Sequence, residues 1–195
     1  MAIALNKGES FELNSGEMKP ITKIRMGVGW DPVPSGNFFW RLFFSESIDL
    51  DASCVLFDKN KEIFDLVYYG HLRTNDESVE HSGDNLTGDG EGDDEYIDVD
   101  LSKLSENVHY LAFTINSFRG QTFDEVANAV CRLIDLSNNE ELCRYVLSER
   151  GCYTAVIMVV LKRQEEKNSW QITALGEMAH GKTARDIVED VFDVL

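Results

Sequence analysis

Polar and apolar residues alternate with period two over several short stretches of this chain, other short stretches are β-branched, aromatic or wholly apolar, and a helical period holds over only one. Ile21 to Val28, Ile48 to Asp58, Ile63 to Tyr69, Tyr96 to Leu101, Val108 to Ile115, Glu141 to Leu147, Tyr153 to Leu161 and Trp170 to Leu175 each predict a strand, with shorter ones at Ala2–Leu5 and Phe11–Leu13. Turn residues separate them: Lys7-Gly8-Glu9, Lys59-Asn60-Lys61, Gly151 and the charged run Arg163–Ser169. Phe123 to Leu136 fits either period and is read as a helical turn over 123–129 followed by a strand. Only Ala184 to Leu195 predicts a helix, with Thr183 as its N-cap. Residues 33–47, with Pro34, Gly36 and the aromatics Phe38, Phe39, Trp40, Phe43 and Phe44, predict a loop excursion. Many short strands and little helix predict a mainly all-β fold, an antiparallel β-sandwich with a C-terminal helix and one short helical turn, in a single domain over 1–195.

Composition narrows the partners. With 35 acidic against 18 basic residues the formal charge is −17, and no basic face is left for nucleic acid or an anionic membrane. The four cysteines (Cys54, Cys131, Cys143, Cys152) show no CxxC spacing, and MAIALNKGES lacks the regions of a signal peptide, so a cytoplasmic protein is expected. The longest apolar run, Ala155 to Leu161, is far short of the ~20 residues of a membrane span, which predicts no direct membrane insertion.

The acid is concentrated. His81 to Asp100 reads HSGDNLTGDGEGDDEYIDVD and holds Asp84, Asp89, Glu91, Asp93, Asp94, Glu95, Asp98 and Asp100 with Gly83, Gly88, Gly90 and Gly92; no Lys or Arg lies between Arg73 and Lys103. Charges of one sign packed this densely repel, so a compact loop needs a cation. Ca²⁺ suits it, taking six to eight oxygens from carboxylates, Asn and main-chain carbonyls, whereas Mg²⁺ demands a tight octahedron and keeps its waters. Glycines at alternate positions let several carbonyls turn toward one point. A solvated acidic linker is the competing reading of such composition. An EF-hand does not fit: begun at Asp84, it puts Leu86 and Gly88 at ligand positions and Asp89 where Gly belongs. Two strand-end features add carboxylates, Asp31 in Gly-Trp-Asp-Pro and the pair Asp49 and Asp51, which period two places on one face.

A second motif carries less. Gly176-Glu177-Met178-Ala179-His180-Gly181-Lys182-Thr183 matches GxxxxGK[ST], with a predicted strand before it and a helix after it. A P-loop serves a parallel sheet that continues past its helix, and only twelve residues follow Thr183, so the match is read as chance. No nucleophile with its base emerges: His81 and Ser82 are merely neighbours, and His71 reads as a surface residue. Two alternatives stay open, a two-metal phosphoesterase and a nucleotide-binding protein using 176–183.

Several stretches carry a resemblance. Gly29-Trp30-Asp31-Pro32, Ser47-Ile48-Asp49-Leu50-Asp51-Ala52-Ser53-Cys54-Val55-Leu56, the run His81–Glu95 and Asn116-Ser117-Phe118-Arg119-Gly120-Gln121-Thr122-Phe123 together resemble the TerD family of tellurium-resistance and stress proteins. Asp84-Asn85-Leu86-Thr87 is similar to the form in its TerZ-like members. The resemblance covers nearly the whole chain. It implies a β-sandwich of the bacterial cytoplasm that binds calcium, two ions, without an established catalytic activity, and the reading built on it is a non-enzymatic calcium-binding module whose candidate partners are related stress-system proteins. Carried across by position, the implied metal ligands are Asp31, Asp49, Asp51, Asp84, Asn85, Asp93, Asp94 and Glu95, with main-chain carbonyls at Gly88, Gly90 and Gly92. The aromatic segment 37–44 is bulkier than the family's usual insert; its rings either cover the core, the commoner case, or form a partner surface.

Overall fold

The computed structural model describes residues 6–13, 21–31, 48–86, 88, 92–147, 151–167 and 169–195. The strand expected at Ala2–Leu5, the aromatic segment within 33–47 and Gly90 lie outside them. The described strands are β1 (Ser10–Glu12), β2 (Lys23–Asp31), β3 (Leu50–Phe57), β4 (Ile63–Val67), β5 (Val79–His81), β6 (Glu95–Asp100), β7 (Tyr110–Ser117), β8 (Ala127–Asp135), β9 (Glu140–Val146), β10 (Ala155–Gln164) and β11 (Ser169–Ala179), followed by the helix α1 (Val188–Val194). They form two sheets, six strands in the order β1-β11-β10-β7-β3-β4 and five in the order β5-β6-β2-β8-β9, with antiparallel pairing throughout. The antiparallel sandwich is as expected, as are the C-terminal helix and the helical turn at Phe123–Glu125; a second short turn occupies Glu165–Lys167.

Alternation explains which faces meet. Ile24, Met26, Val28 and Trp30 of β2, Ile97 and Val99 of β6, and Cys131 and Leu133 of β8 point inward from one sheet. Leu50, Ala52, Cys54 and Leu56 of β3 and Leu111, Phe113 and Ile115 of β7 meet them from the other. β3 is buried on both faces. Its outward residues Val55 and Phe57 join Ala112, Ile157, Ile187 and Val191 in a second apolar cluster under α1, where the Phe57 and Phe192 rings lie 5.4 Å apart edge to face.

The structure departs from the sequence pattern in three places. β5 was not anticipated, because three residues with Glu80 in the middle are too short to show a period; pairing with β6, Val79 opposite Val99, holds it. α1 starts at Val188, not Ala184, and Thr183 does not cap it: the residue before the helix is Ile187, and Asp186 Oδ2 accepts the N–H groups of Lys182 (3.0 Å) and Thr183 (2.9 Å) in a separate turn. Finally, β11 runs on to Ala179, with Glu177, Met178 and Ala179 opposite Ile157, Val156 and Ala155. Glu177 to Ala179 of the GxxxxGKT match are thus extended strand, in which successive N–H groups point to opposite sides and do not converge on a phosphate. Among the described residues no helix is long and apolar enough to cross a membrane.

Candidate metal centre

β3 begins where the loop after β5 folds back over it. Asp49 just precedes the strand, Asp51 is its second residue, and Asp84 arrives from the loop; each offers a carboxylate oxygen, and the three atoms lie within 4.8 Å of one another. Asp49 and Asp51 are 3% and 4% exposed, while Asp84 stands at the mouth. Asp49 Oδ1 and Asp51 Oδ2 are fully buried with no hydrogen-bond partner. A buried carboxylate oxygen without a donor is costly, and two side by side call for a cation or a proton. Burial, followed by the charges of Glu95, Asp49 and Asp84, pushes the Asp51 carboxyl up to about 8. Burial and then the charge of Asp84 raise Asp49, although the Arg119 guanidinium, 3.5 Å from its Oδ2, opposes this. Asp84 is raised by burial and then by Glu95. The three groups thus share an electrostatic stress that an oxygen-seeking cation would relieve.

Glu95 plays a different part. It continues the inward face of β6 into the core and is 0% exposed. Its Oε2 accepts the Ala52 N–H at 2.9 Å and its Oε1 the Asn85 N–H at 3.0 Å. The pairing of β4 with β3 stops at Val67 opposite Cys54, and Ala52 lies beyond that point. Its two main-chain groups are therefore met from the opposite sheet, the N–H by Glu95 and the carbonyl by His81 Nε2 at 3.1 Å. His81 Nδ1 accepts the Gly83 N–H at 3.0 Å, which assigns the proton to Nε2 and fixes the start of the loop. Glu95 and His81 thus clamp β3 and the loop together directly behind Asp51.

The remaining acid lies on the other side of β2. The loop crosses that strand at two glycines on its outer face: a β-carbon at Gly29 would stand 2.5 Å from the Gly92 carbonyl oxygen, and one at Gly27 would collide with the Asp93 carboxylate. Only a strand stripped of side chains there admits the loop so closely. Asp93 Oδ1 accepts from Arg132 Nε at 2.8 Å. Asp94 Oδ2 takes the Trp30 N–H at 2.9 Å and its Oδ1 the Asn85 amide at 3.2 Å. Asp31, exposed at the end of β2, accepts from Asn128 Nδ2 at 2.7 Å. Asn85 Oδ1 takes the Gly88 N–H at 3.1 Å, and Gly88 is buried against Trp30. Asp31, Gly92, Asp93 and Asp94 border a cavity of about 250 Å³ that Arg132 and Arg144 also line. The candidates therefore fall into two groups, one of buried unpartnered oxygens and one of carboxylates already holding donors.

Sequence reasoning passed over Gly27, Gly29 and His81. The glycine pair had a signal, two glycines at spacing two on the polar face of a strand, which marks the close approach of another backbone. His81 had none, since its partners come from a strand 29 residues away and from the turn after it.

Fold and centre together define a class, an antiparallel β-sandwich with a buried carboxylate cluster where one strand begins beneath an acidic, glycine-rich loop. The TerD domain family matches residues 1–190, and the chain belongs to that family. It is 44% identical over 190 residues to the tellurium resistance protein TerZ of Serratia marcescens, covering 97% of this chain and 96% of that one. It is 37% identical over 198 residues to the stress response protein SCP2 of Bacillus subtilis, covering 96% and 98%. The crystal structure of a homologue of telluride resistance protein (TerD) from Streptomyces coelicolor shares the fold at a TM-score of 0.73 and 17% identity, over 86% of this chain and 95% of that one.

Proposed function

We propose that this protein is a calcium-binding, non-enzymatic component of a bacterial stress or tellurite-resistance system, with Asp49, Asp51 and Asp84 as its principal metal ligands. The observation that carries the reading is the pair of buried, unpartnered oxygens on Asp49 and Asp51 within reach of Asp84. Three carboxylates converge from two segments, and water completes the shell, which suits the flexible coordination of Ca²⁺ better than a Mg²⁺ octahedron. Glu95 and Asn85 then act as positioning residues, because their oxygens already hold main-chain N–H groups. A second ion at Asp31, Asp93 and Asp94 with the Gly92 carbonyl binds more weakly, since it must displace the donors of Asn128, Trp30 and Asn85 and sit beside Arg132. The relatives named for tellurium resistance and stress response support the biological setting, and related stress-system proteins are the natural macromolecular partners. No observation favours the phosphoesterase or nucleotide-binding alternatives.

Calorimetric titration tests the assignment. Ca²⁺ should bind with clear preference over Mg²⁺, and Asp51→Asn should weaken it more than Asp93→Ala combined with Asp94→Ala. Equal affinities for the two metals, or the reverse order of the variants, would overturn it.

A further inference from the structure

The outer face of the six-stranded sheet changes character along its length. At one end Val55, Phe57 and Ala112 lie under α1; at the other, Ser53 stands opposite Thr114 and Asp51 opposite Asn116, all four buried. Between this polar end and the turn that precedes α1 lies a cavity of about 220 Å³ lined by Asp51, Ser53, Tyr68, Tyr69, Thr183 and Arg185. Tyr68 and Tyr69 meet edge to face with ring centroids 5.1 Å apart, and Tyr69 packs in the same way on Phe118 at 5.7 Å. The Arg185 guanidinium lies 6.0 Å from the Tyr68 ring. One further cation stands at the cluster, Arg119 beside Asp49. In a chain with 35 acidic residues, Arg185 has no carboxylate partner among the described residues.

Charge decides what such a cavity accepts. Asp51 lines the cavity with Asp49 and Asp84 beside it, and wherever these carboxylates are ionised without a cation they disfavour an anion. With a divalent cation on those carboxylates, Arg185 in the lining sets the local field, and the cavity favours an oxyanion. Its walls are two tyrosine rings and Leu66, surfaces for a flat or apolar group. Its volume is below the ~300–1,000 Å³ of pockets for drug-sized molecules, so the ligand is about one ring with an anionic head.

We propose that this cavity is a binding site for a small organic oxyanion, its head shared between Arg185 and the ion at the Asp49, Asp51 and Asp84 centre, its flat part packed on Tyr68 and Tyr69. The ion's share of the contact rests on the calcium reading above; the arginine and the tyrosines do not. The turn containing the GxxxxGKT match thereby takes a role unrelated to a P-loop, presenting Thr183 and Arg185 to a site built on β3.

The test uses the full chain and phenyl phosphate. Calcium alone is titrated first; phenyl phosphate and inorganic phosphate are then titrated into calcium-loaded and metal-free protein, followed by calorimetry and by tyrosine ring resonances in NMR. Phenyl phosphate should bind the calcium-loaded chain more tightly than inorganic phosphate does, shift the Tyr68 and Tyr69 rings, and weaken about tenfold or more in Arg185→Gln, the loss of one charge-assisted contact, with calcium affinity unchanged. Tyr68→Leu should weaken phenyl phosphate and leave inorganic phosphate untouched. Arg185 is exposed, so its variant keeps the fold and decides the matter even if Tyr68→Leu does not fold. Calcium binding without phenyl phosphate binding, or affinity indifferent to Arg185→Gln, overturns the oxyanion site and leaves the metal centre standing. Phenyl phosphate binding that depends on Arg185 in a chain that takes up no calcium keeps the cavity and overturns the metal centre.

Discussion

Asp51 makes the metal-free protein's stability fall as the pH rises. Its carboxyl is pushed from an ordinary 3.8 up to about 8 in the fold, first by burial and then by Glu95, Asp49 and Asp84. The folded chain therefore keeps a proton across that interval which the unfolded chain has already released. Where the folded state binds more protons, raising the pH favours unfolding, so the contribution is fully present near pH 4 and is lost as the pH climbs through 8. One proton corresponds to a slope of at most ~1.4 kcal/mol per pH unit, so ~2–3 kcal/mol disappears between pH 6 and 8. For a domain of this length ~1 kcal/mol moves the melting temperature by ~2–4 °C, which gives a fall of ~5–10 °C. Asp49 and Asp84 are shifted the same way and add to it. Asp58, held low by the N–H groups of Glu62 and Asn60, titrates below this window. Thermal unfolding in EGTA at half-unit steps from pH 5.5 to 8.5 is the assay, with Asp51→Asn as control, since an amide cannot titrate and should flatten most of the slope. Saturating calcium should reverse the trend, because the ion displaces the proton, and at 100 times its dissociation constant it adds ~2.7 kcal/mol. A metal-free melting temperature that is level or rises from pH 6 to 8 would refute the reasoning.

Other outcomes follow from individual contacts. Glu95→Gln should lower stability by ~1–3 kcal/mol, because one of the two N–H groups held by its buried carboxylate would face an amide donor; denaturant unfolding checks this, and an unchanged midpoint would contradict the clamp. Gly29→Ala should cost ~1–3 kcal/mol by driving a methyl into the Gly92 carbonyl, measurable as a lower melting temperature with faster amide exchange at 92–95. Lys182→Ala should leave calcium affinity and melting temperature unchanged, with no micromolar Mg·ATP binding to lose; finding such binding, abolished by the variant, would restore the P-loop. Hydrogen exchange should show residues 81–95 gaining protection on calcium addition while β10 and β11 hardly change, and an unaltered loop would remove the ion from its structural role.

Alternation in β2, β6 and the start of β3, together with the β-branched and apolar runs of β7 and β10, was sufficient to foresee a sandwich, because strand period and strand-forming residues are local properties. Charge density alone pointed to a cation in the loop, and spacing alone put Asp49 and Asp51 on one face, since both are local properties. Strand order is not local, and neither is the division of the acid into two groups. Whether a carboxylate seeks a metal depends on which donors reach it first, and those donors come from far along the chain: Arg132 to Asp93, Asn128 to Asp31, Trp30 to Asp94. In the sequence Glu95 is one more carboxylate in an acidic run; only β6, which turns it inward, and the short β4, which leaves the backbone of Ala52 for it to satisfy, decide which contacts it makes. The GxxxxGKT match likewise depended on where β11 ends, which pairing with β10 decides and the letters do not. Composition and period act over a few residues, whereas the state of a buried charge is set by whatever the fold brings within about 4 Å of it.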